Sequence, residues 1–195
     1  MCGVPFHSAE GYITRLVSKG YKVAICEQVE DPKLAKGLVK REVVRIVTPG
    51  TNCNLEALDE SKNNYLMGVV AMDDLFGISV VDVTTGEYRL TEVDGLGKLL
   101  DEINKFMPSE LICNESFYIS GVDVEDLKER LGISISSLAP HYFDQECCKK
   151  SLCRHFSVQT LDGLGLADYS VGITAAGAVM EYLEETQKTS LAHIL

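Results

Sequence analysis

The stretch Val43-Val44-Arg45-Ile46-Val47-Thr48-Pro49-Gly50-Thr51 organises the rest of the chain. Its first five residues are mostly β-branched and predict a buried strand. Thr48-Pro49-Gly50 predicts the end of that strand, because proline cannot donate to a sheet ladder and glycine lets the backbone turn. We therefore expect a domain boundary at this point.

The formal charge changes sign at the same place. Residues 1–48 contain eight Lys/Arg against five Asp/Glu, whereas residues 49–195 contain ten against twenty-four. The net charge of the chain is −11, which argues against a nucleic-acid binder that uses its whole surface, although not against a local basic face. The asymmetry predicts two units with different partners.

Composition narrows the class of protein. The 195 residues are 46% hydrophobic, which is enough for one main hydrophobic core and a second, smaller packed unit. There is no apolar run of eighteen residues, so no membrane span is expected, and the first residues lack the features of a signal peptide. Seven cysteines without a framework spacing indicate free thiols and a reducing, cytoplasmic compartment.

The part before the boundary contains few predicted elements. Ser8 is a candidate cap for a helix that runs to Lys19, and residues 21–27 predict a strand. One helix and two strands are too few for a complete domain, so residues 1–50 are interpreted as the latter part of one. A polar linker is expected at 51–63.

Residues 64–190 are predicted to form the main domain. Segments 65–72, 77–83 and 87–93, with glycine in the turns between them, predict an antiparallel meander. The later elements are expected to be a helix capped by Asp94 and stopped by Pro108, a strand at 111–113, a helix capped by Asp123 and ended by Gly132, a strand at 133–143, and helices at 145–156 and 170–187. This order predicts an α/β fold, a mixed sheet flanked by helices, with the strands near 111 and 135 parallel to an inner strand.

One basic stretch offers candidates for contact with a nucleic-acid backbone. These candidates are Lys33, Lys36, Lys40, Arg41 and Arg45. Contacts to phosphate position a protein on nucleic acid without reading its sequence. A solvated loop is the alternative interpretation.

Three acids support a competing interpretation, a ribonuclease H-like metal-dependent nuclease. Asp73, Asp74 and Asp82 lie at predicted strand ends, where a two-metal site could hold its carboxylates. Such a site also needs acids from a helix and a later strand. The nearby candidates are Glu102, Glu110 and Glu115. Their spacing specifies nothing, so solvated turn acids are the simpler interpretation and no catalytic residue is assigned.

A third interpretation is a small zinc module at Cys147, Cys148, Cys153 and His155, since thiolate and imidazole are the usual zinc ligands. On a helix, however, the three cysteines point in different directions. Buried or incidental thiols are therefore preferred, and no metal site is assigned. The chain also lacks the Gly-x-x-x-x-Gly-Lys-Ser/Thr motif of a P-loop.

Several segments resemble the MutS family of DNA mismatch-repair proteins. They are Met1-Cys2-Gly3-Val4-Pro5-Phe6-His7, Lys22-Val23-Ala24-Ile25-Cys26-Glu27-Gln28 with Asp31-Pro32, Arg41-Glu42-Val43-Val44-Arg45-Ile46-Val47-Thr48-Pro49-Gly50-Thr51, Asp162-Gly163-Leu164-Gly165, and Tyr182-Leu183-Glu184-Glu185-Thr186-Gln187-Lys188-Thr189. The match that ends at Thr51 is the most specific, because it runs over eleven residues in register.

This resemblance implies a non-catalytic fragment of a longer protein. Residues 1–50 would be the latter part of the mismatch-recognition domain, followed by the linker at 51–63. Residues 64–190 would be the connector domain with a ribonuclease H-like fold, and 191–195 the start of the core domain. The family's Phe-x-Glu mismatch wedge would lie upstream and its P-loop ATPase domain downstream.

The resemblance also implies the partners of the full-length protein. These are mismatched duplex DNA, ATP and Mg as cofactors, further MutS copies through domains outside this chain, and a MutL-type protein on the connector domain. The connector would link mismatch binding, ATPase state and partner docking. No cofactor is expected in the fragment itself.

Overall fold

A computed structural model describes residues 3–31, Lys33, 37–52, 63–188 and 191–194. The helices are α1 (Phe6–Val17), α2 (Leu96–Phe106), α3 (Val124–Leu131), α4 (Gln145–His155) and α5 (Ser170–Gln187). The strands are β1 (Val23–Gln28), β2 (Arg41–Val47), β3 (Tyr65–Met72), β4 (Leu75–Asp82), β5 (Tyr88–Asp94), β6 (Glu110–Cys113) and β7 (Ser134–Ser137). Within these ranges, no helix combines the length and the apolar character that a bilayer span requires.

The main sheet has five strands in the order β5-β4-β3-β6-β7. The strands β3, β4 and β5 form an antiparallel meander, while β6 is parallel to β3 and β7 is parallel to β6. The predicted mixed sheet is therefore confirmed, including the two parallel strands that extend it beyond β3. A meander continued by two parallel strands is the ribonuclease H-like arrangement that the sequence predicted.

Helices cover both faces of the main sheet. Met67 and Val69 of β3 pack in one apolar cluster with Leu99 of α2. The preceding position on the strand, Leu66, packs in a second cluster with Val179 of α5 on the opposite face. Because both faces are covered, β3 is an almost continuous apolar run rather than an alternating one.

Helix α5 lies directly on the main sheet because two strand positions are glycine. A Cβ added at Gly77 would lie 2.2 Å from the carbonyl oxygen of Val171, and one added at Gly68 would lie 2.4 Å from Cγ2 of Val179. Real Cβ atoms do not approach other atoms this closely, so any side chain at these positions would push the helix away.

The small sheet contains β1 and β2, paired antiparallel. The predicted strand at 43–47 is confirmed as the larger part of β2. Ile25 pairs with Arg45 and Cys26 pairs with Val43, so Val44 is an extra residue and β2 carries a β-bulge. The predicted linker at 51–63 falls mostly on 53–62, which lie outside the described residues.

Two predicted boundaries are wrong. Helix α1 begins at Phe6 rather than after Ser8, because Pro5 already occupies the N-cap position. The strand predicted over 133–143 is only the four residues of β7, and a 3₁₀ turn begins at Pro140. Proline removes a backbone donor and fixes its φ angle near the helical value, so it starts the turn and ends any strand pairing.

The two predicted helix caps have different outcomes. Asp123 caps α3, because its carboxylate accepts a hydrogen bond from the backbone N–H of Asp126 at 3.0 Å. The prediction that Asp94 caps α2 is wrong. Gly95 occupies that N-cap with φ +85°, and the Asp94 carboxylate instead contacts Lys98 one turn along the helix.

Candidate functional site at the junction of the two sheets

The opening stretch ends in a tight 3₁₀ turn formed by Pro49–Thr51. The backbone N–H of Thr48 donates to Oγ1 of Thr51 at 3.0 Å, and the N–H of Thr51 donates to the carbonyl of Thr48 at 3.1 Å. Pro49 takes the first position of the turn, where a missing backbone donor has no cost. The predicted end of the strand is confirmed, and its geometry is a capping box.

This turn contacts the main sheet at Glu110, the first residue of β6, whose side chain is fully buried. Oε2 of Glu110 accepts from Oγ1 of Thr48 at 2.5 Å and from the backbone N–H of Gly50 at 3.1 Å. The hydroxyls of Thr48 and Thr51 lie 2.8 Å apart. Since Thr48 donates its only hydroxyl proton to Glu110, Thr51 is the donor in this second pair.

The other carboxylate oxygen of Glu110 also has two partners. Oε1 accepts from the hydroxyl of Tyr182 on α5 at 2.7 Å, and Nζ of Lys22 lies 3.4 Å from it. Lys22 also donates to Oγ of Ser136 at 3.2 Å and lies 5.0 Å from the ring centroid of Tyr182. Burial and the neighbouring carboxylate raise the pKa of Tyr182, so its hydroxyl stays protonated and available as a donor.

We call Lys22, Thr48, Gly50, Glu110 and Tyr182 the Glu110 junction. Three hydrogen-bond donors and the ammonium group of Lys22 surround its carboxylate. Gly50 permits the close approach, since a Cβ added there would lie 2.9 Å from the Cβ atoms of both Glu110 and Leu66. The junction therefore joins the small sheet, the main sheet and α5 at a single buried group.

Two further polar contacts hold β2 close to the main sheet. Lys188, the residue that ends α5 with φ +49°, donates from Nζ to the carbonyl of Val43 at 3.1 Å. Asn64, which precedes β3, donates from Nδ2 to the carbonyls of Pro49 at 2.9 Å and Asn52 at 3.1 Å. These contacts restrict the position of β2 and of the turn that follows it.

The β-bulge separates two of the predicted phosphate-contact residues. Arg45 is opposite Ile25 and Arg41 is opposite Gln28. Directly opposite residues share a face of the sheet, and Ile25 and Gln28 are three positions apart, so Arg45 and Arg41 lie on opposite faces. Arg45 is half-buried, and its Nη2 donates to the carbonyl of Thr51 at 3.4 Å.

The other predicted phosphate-contact residues have different surroundings. Lys33 is exposed, and Lys36 lies outside the described residues. Lys40 is exposed but forms an ion pair with Glu42 at 2.6 Å. The hydrogen bond between them raises the pKa of Lys40 and lowers that of Glu42. Lys33 and Arg41 are therefore the two described candidates whose side chains face solvent and have neither an ion pair nor a packing contact among the described residues.

The three acids of the nuclease interpretation do not converge, so a metal site built on all of them is wrong. Asp73 and Asp74 lie in the turn between β3 and β4, whereas Asp82 ends β4, a strand of eight residues. The two groups are therefore about 24 Å apart along the strand. Asp82 instead accepts from the backbone N–H of Thr84 at 2.8 Å and orders the next turn.

The acids that were expected to complete such a site also have other roles. Glu102 pairs with Lys105 on the surface of α2 at 3.0 Å, and Glu110 is the centre of the junction. Glu102 lies on the exposed side of α2 and Glu110 lies at the buried start of β6. The spacing of the acids in the sequence does not predict this difference.

The cysteines and the histidine of the zinc interpretation point away from one another. Sγ of Cys148 contacts the carbonyl of Tyr142 at 3.2 Å, while Nε2 of His155 donates to the carbonyl of Ile194 at 2.9 Å. Burial raises the pKa of Cys148 to about 12. Over the described ranges, no group of three His, Cys, Asp or Glu residues could hold a metal ion.

Comparison with known proteins identifies the family. The family model described as MutS domain II matches residues 64–195, and the model of MutS domain I matches residues 1–56. The DNA mismatch repair protein MutS of Lachnoclostridium phytofermentans is 61% identical over 194 residues, which cover 100% of this chain and 21% of the relative. The MutS of Ruminiclostridium cellulolyticum is 49% identical over 197 residues, with 100% and 22% covered.

The chain therefore belongs to the MutS family, and it contains its domain I and domain II regions. The resemblance stated from the sequence is confirmed. The chain spans about a fifth of the length of these curated relatives.

Two solved structures are similar to part of the chain. Thermus thermophilus RuvC has a TM-score of 0.43 at 11% identity, and T. thermophilus RuvC in complex with a Holliday junction substrate has a TM-score of 0.40 at 14% identity. Each comparison covers 64% of this chain and 97% of the other. These values are too low to support an argument, so the ribonuclease H-like assignment depends on the strand order.

Most of the Glu110 junction was not predicted from the sequence. Glu110 was considered only as a possible metal ligand, and Tyr182 and the side chain of Lys22 had no predicted role. One signal was available, because a single acid directly before the apolar strand 111–113 is expected to be buried and a buried acid needs donors. The Thr-x-x-Thr spacing of the turn is a second signal, since it is close to a capping-box pattern.

Proposed function

We propose that this chain is the connector region of a MutS-type mismatch-repair protein, together with the latter part of its mismatch-recognition domain. The division at 1–50, 51–63, 64–190 and 191–195 belongs to this proposal. The full-length protein would act in the cytoplasm, bind mismatched duplex DNA, use ATP and Mg, and self-associate through domains outside this chain. The match to both MutS domains supports this.

The connector would carry changes of position between the mismatch-recognition domain and the rest of the protein. The Glu110 junction is the observation that supports this role. Lys22 and the turn at Pro49–Thr51 belong to the first unit, and both contact Glu110 of the main sheet. Tyr182 brings α5 to the same carboxylate. A displacement of the small sheet would therefore act directly on α5.

The connector would also offer a surface to a MutL-type protein. Three exposed apolar side chains support a position for it. Met72 is the last residue of β3, and Tyr118 and Ile119 lie in the 3₁₀ turn that follows β6, so all three lie at one edge of the parallel pair. Ile119 is 87% exposed. Exposed apolar groups at one edge are typical of a protein interface.

A binding measurement tests this proposal. Labelled MutL-type protein from the same organism is titrated with the chain and followed by fluorescence anisotropy. Saturable binding is expected, and Ile119→Asp should weaken it at least tenfold with an unchanged circular dichroism spectrum. Leu38→Asp is the matched control, since Leu38 is 97% exposed but lies in the first unit.

Two results would contradict the proposed role. One is the absence of binding by the chain, and the other is equal weakening by Ile119→Asp and Leu38→Asp. Mg²⁺-dependent cleavage of nucleic acid by the purified chain would favour a nuclease instead.

A further inference from the structure

We infer that the Glu110 junction is a two-state latch. In the closed state it fixes the small sheet on the main sheet. In the open state the small sheet separates as a unit while the main sheet stays folded. This inference does not depend on the proposed function, because it concerns only how the two sheets are held together.

The first observation is the location of the apolar core. Each of the three buried apolar clusters among the described residues is built from positions after Asn64. The main sheet and its helices therefore have a core of their own, although Val47 of β2 is also buried. Apolar burial is the dominant favourable term in folding, so the main sheet should remain folded when the small sheet separates.

The second observation is the chemistry of the attachment. Apart from the buried side chain of Val47, the small sheet and the turn after it are held to the main sheet by the junction and by Asn64 and Lys188. These are polar contacts with defined partners and short distances. Hydrogen bonds are directional, so they fix one relative position and do not permit sliding.

The burial of Glu110 explains why the latch has two states. Its side chain is fully buried, Oε2 accepts two hydrogen bonds, and Oε1 accepts one and lies 3.4 Å from Nζ of Lys22. A small displacement would remove donors before water could reach the carboxylate, and a buried charge without donors is strongly unfavourable. Partly open positions are therefore avoided, and the carboxylate has either all of its donors or free access to water.

Lys22 is the member of the latch that opens first. Its side chain is 37% exposed, whereas that of Glu110 is 0% exposed. Lys22 supplies the positive charge that compensates the carboxylate. Loss of this contact leaves three neutral donors and an uncompensated charge, which favours complete opening.

Hydrogen exchange of the chain, measured by mass spectrometry, tests the latch. In Glu110→Gln the side chain presents an N–H₂ group to donors and carries no charge. We expect amides of β1 and β2 to exchange at least tenfold faster, while amides of β3 and β4 keep their protection. Glu102→Gln is the matched control, since it removes a carboxylate that is ion-paired on the surface of α2, and it should change neither sheet.

Two variants on the opposite side of the junction keep the test decisive if Glu110→Gln disrupts β6 itself. Thr48→Val removes one donor, and Gly50→Ala forces the turn away from the sheet. Both substitutions lie outside the main sheet, and both should reproduce the faster exchange of β1 and β2 alone. Equal acceleration in both sheets in these variants would show a single cooperative unit and overturn the inference. Unchanged exchange in β1 and β2 would overturn it as well.

Discussion

Oγ1 of Thr48 and Oε2 of Glu110 lie 2.5 Å apart although the two residues are 62 positions apart in the chain. Thr48 follows β2 of the small sheet, and Glu110 begins β6 of the main sheet. The stretch that the sequence indicates as a boundary between two units is therefore also the place where the two units are joined. This relationship is the basis of the first prediction.

Tyr182→Phe should destabilise the chain by about 1–3 kcal/mol. The substitution removes the hydroxyl that donates to Oε1 of Glu110 at 2.7 Å and leaves a buried acceptor with one donor fewer. Urea unfolding followed by circular dichroism measures the change. Tyr12→Phe is the control, because Tyr12 is 52% exposed on α1. An equal effect of the two substitutions would contradict the role given to the Tyr182 hydroxyl.

Two glycine substitutions should have opposite effects on stability. Gly77→Ala would place a Cβ 2.2 Å from the carbonyl of Val171, so we expect a loss of about 3 kcal/mol or more as α5 is displaced. Gly97→Ala lies in α2 with no atom within 4 Å of the added Cβ. It should stabilise the chain by up to about 1 kcal/mol, because alanine favours the helix and restricts the unfolded chain. The urea midpoints of both variants decide the sign.

Alanine substitutions at the two aspartates that the sequence predicts as helix caps should differ in their effect on stability. Asp123→Ala removes a carboxylate that accepts from the backbone N–H of Asp126, and it should cost about 1 kcal/mol. Asp94→Ala removes only a surface contact with Lys98 and should have little effect. Thermal unfolding by circular dichroism compares them, and a larger loss for Asp94→Ala would contradict the cap assignment of the structure.

Local patterns were sufficient to predict most of the main domain. The meander, the turn at Gly86 with φ +79° and the bounds 170–187 of α5 are confirmed. The glycine predicted for the first turn, Gly77, lies instead inside β4. Hydrophobic period and the positions of glycine and proline depend on neighbouring residues only, so a single sequence carries this information. The parallel placement of 111–113 also followed, because βα alternation restricts the possible topologies.

The candidate site was harder to predict because it depends on contacts distant in sequence. Nothing near Glu110 indicates that Thr48 and Tyr182 supply its donors. The β-bulge at Val44 is likewise invisible in the sequence, yet it decides that Arg41 and Arg45 lie on opposite faces. A residue type and its spacing predict a face only when the strand is regular.

The stability of the chain should decrease above about pH 9. Burial raises the pKa of the Cys113 and Cys148 thiols to about 12, while the same thiols ionise near pH 8.5 in an unfolded chain. Between these values the unfolded state has lost its protons and the folded state has kept them. The free energy of unfolding therefore falls with rising pH, by about 1.4 kcal/mol per pH unit for each such group. Urea unfolding at pH 8, 9 and 10 measures the slope.

The matched variants for this pH dependence are Cys113→Ala and Cys26→Ser. Cys113→Ala lowers stability at every pH because it creates a cavity. It should also make the fall of stability above pH 9 less steep, since the contribution of one thiol is lost. Cys26 is an exposed free thiol, and its replacement should leave the slope unchanged. A slope that is insensitive to Cys113→Ala would show that other groups carry the pH dependence.

The last prediction concerns binding of DNA by the chain itself. Mismatch recognition requires positioning contacts to phosphate and a side chain that unstacks the duplex, and residues 1–50 contain no Phe-x-Glu sequence. Of the predicted phosphate contacts, Arg45 is half-buried and Lys40 is paired with Glu42. The remaining candidates are few, and the chain has a net charge of −11.

We therefore expect the chain to bind duplex DNA with a dissociation constant of about 10⁻⁴ M or weaker at physiological salt, at the weak end of non-specific binding. Matched and mismatched duplexes should bind alike, and Arg41→Glu should abolish the residual binding that remains at low salt. Fluorescence anisotropy with labelled matched and mismatched duplexes at several salt concentrations makes the measurement, and Glu42→Gln serves as the opposite charge change on the same strand. Sub-micromolar affinity with a clear preference for the mismatch would show that the chain recognises mismatches without the wedge, which contradicts the role proposed for it as a connector.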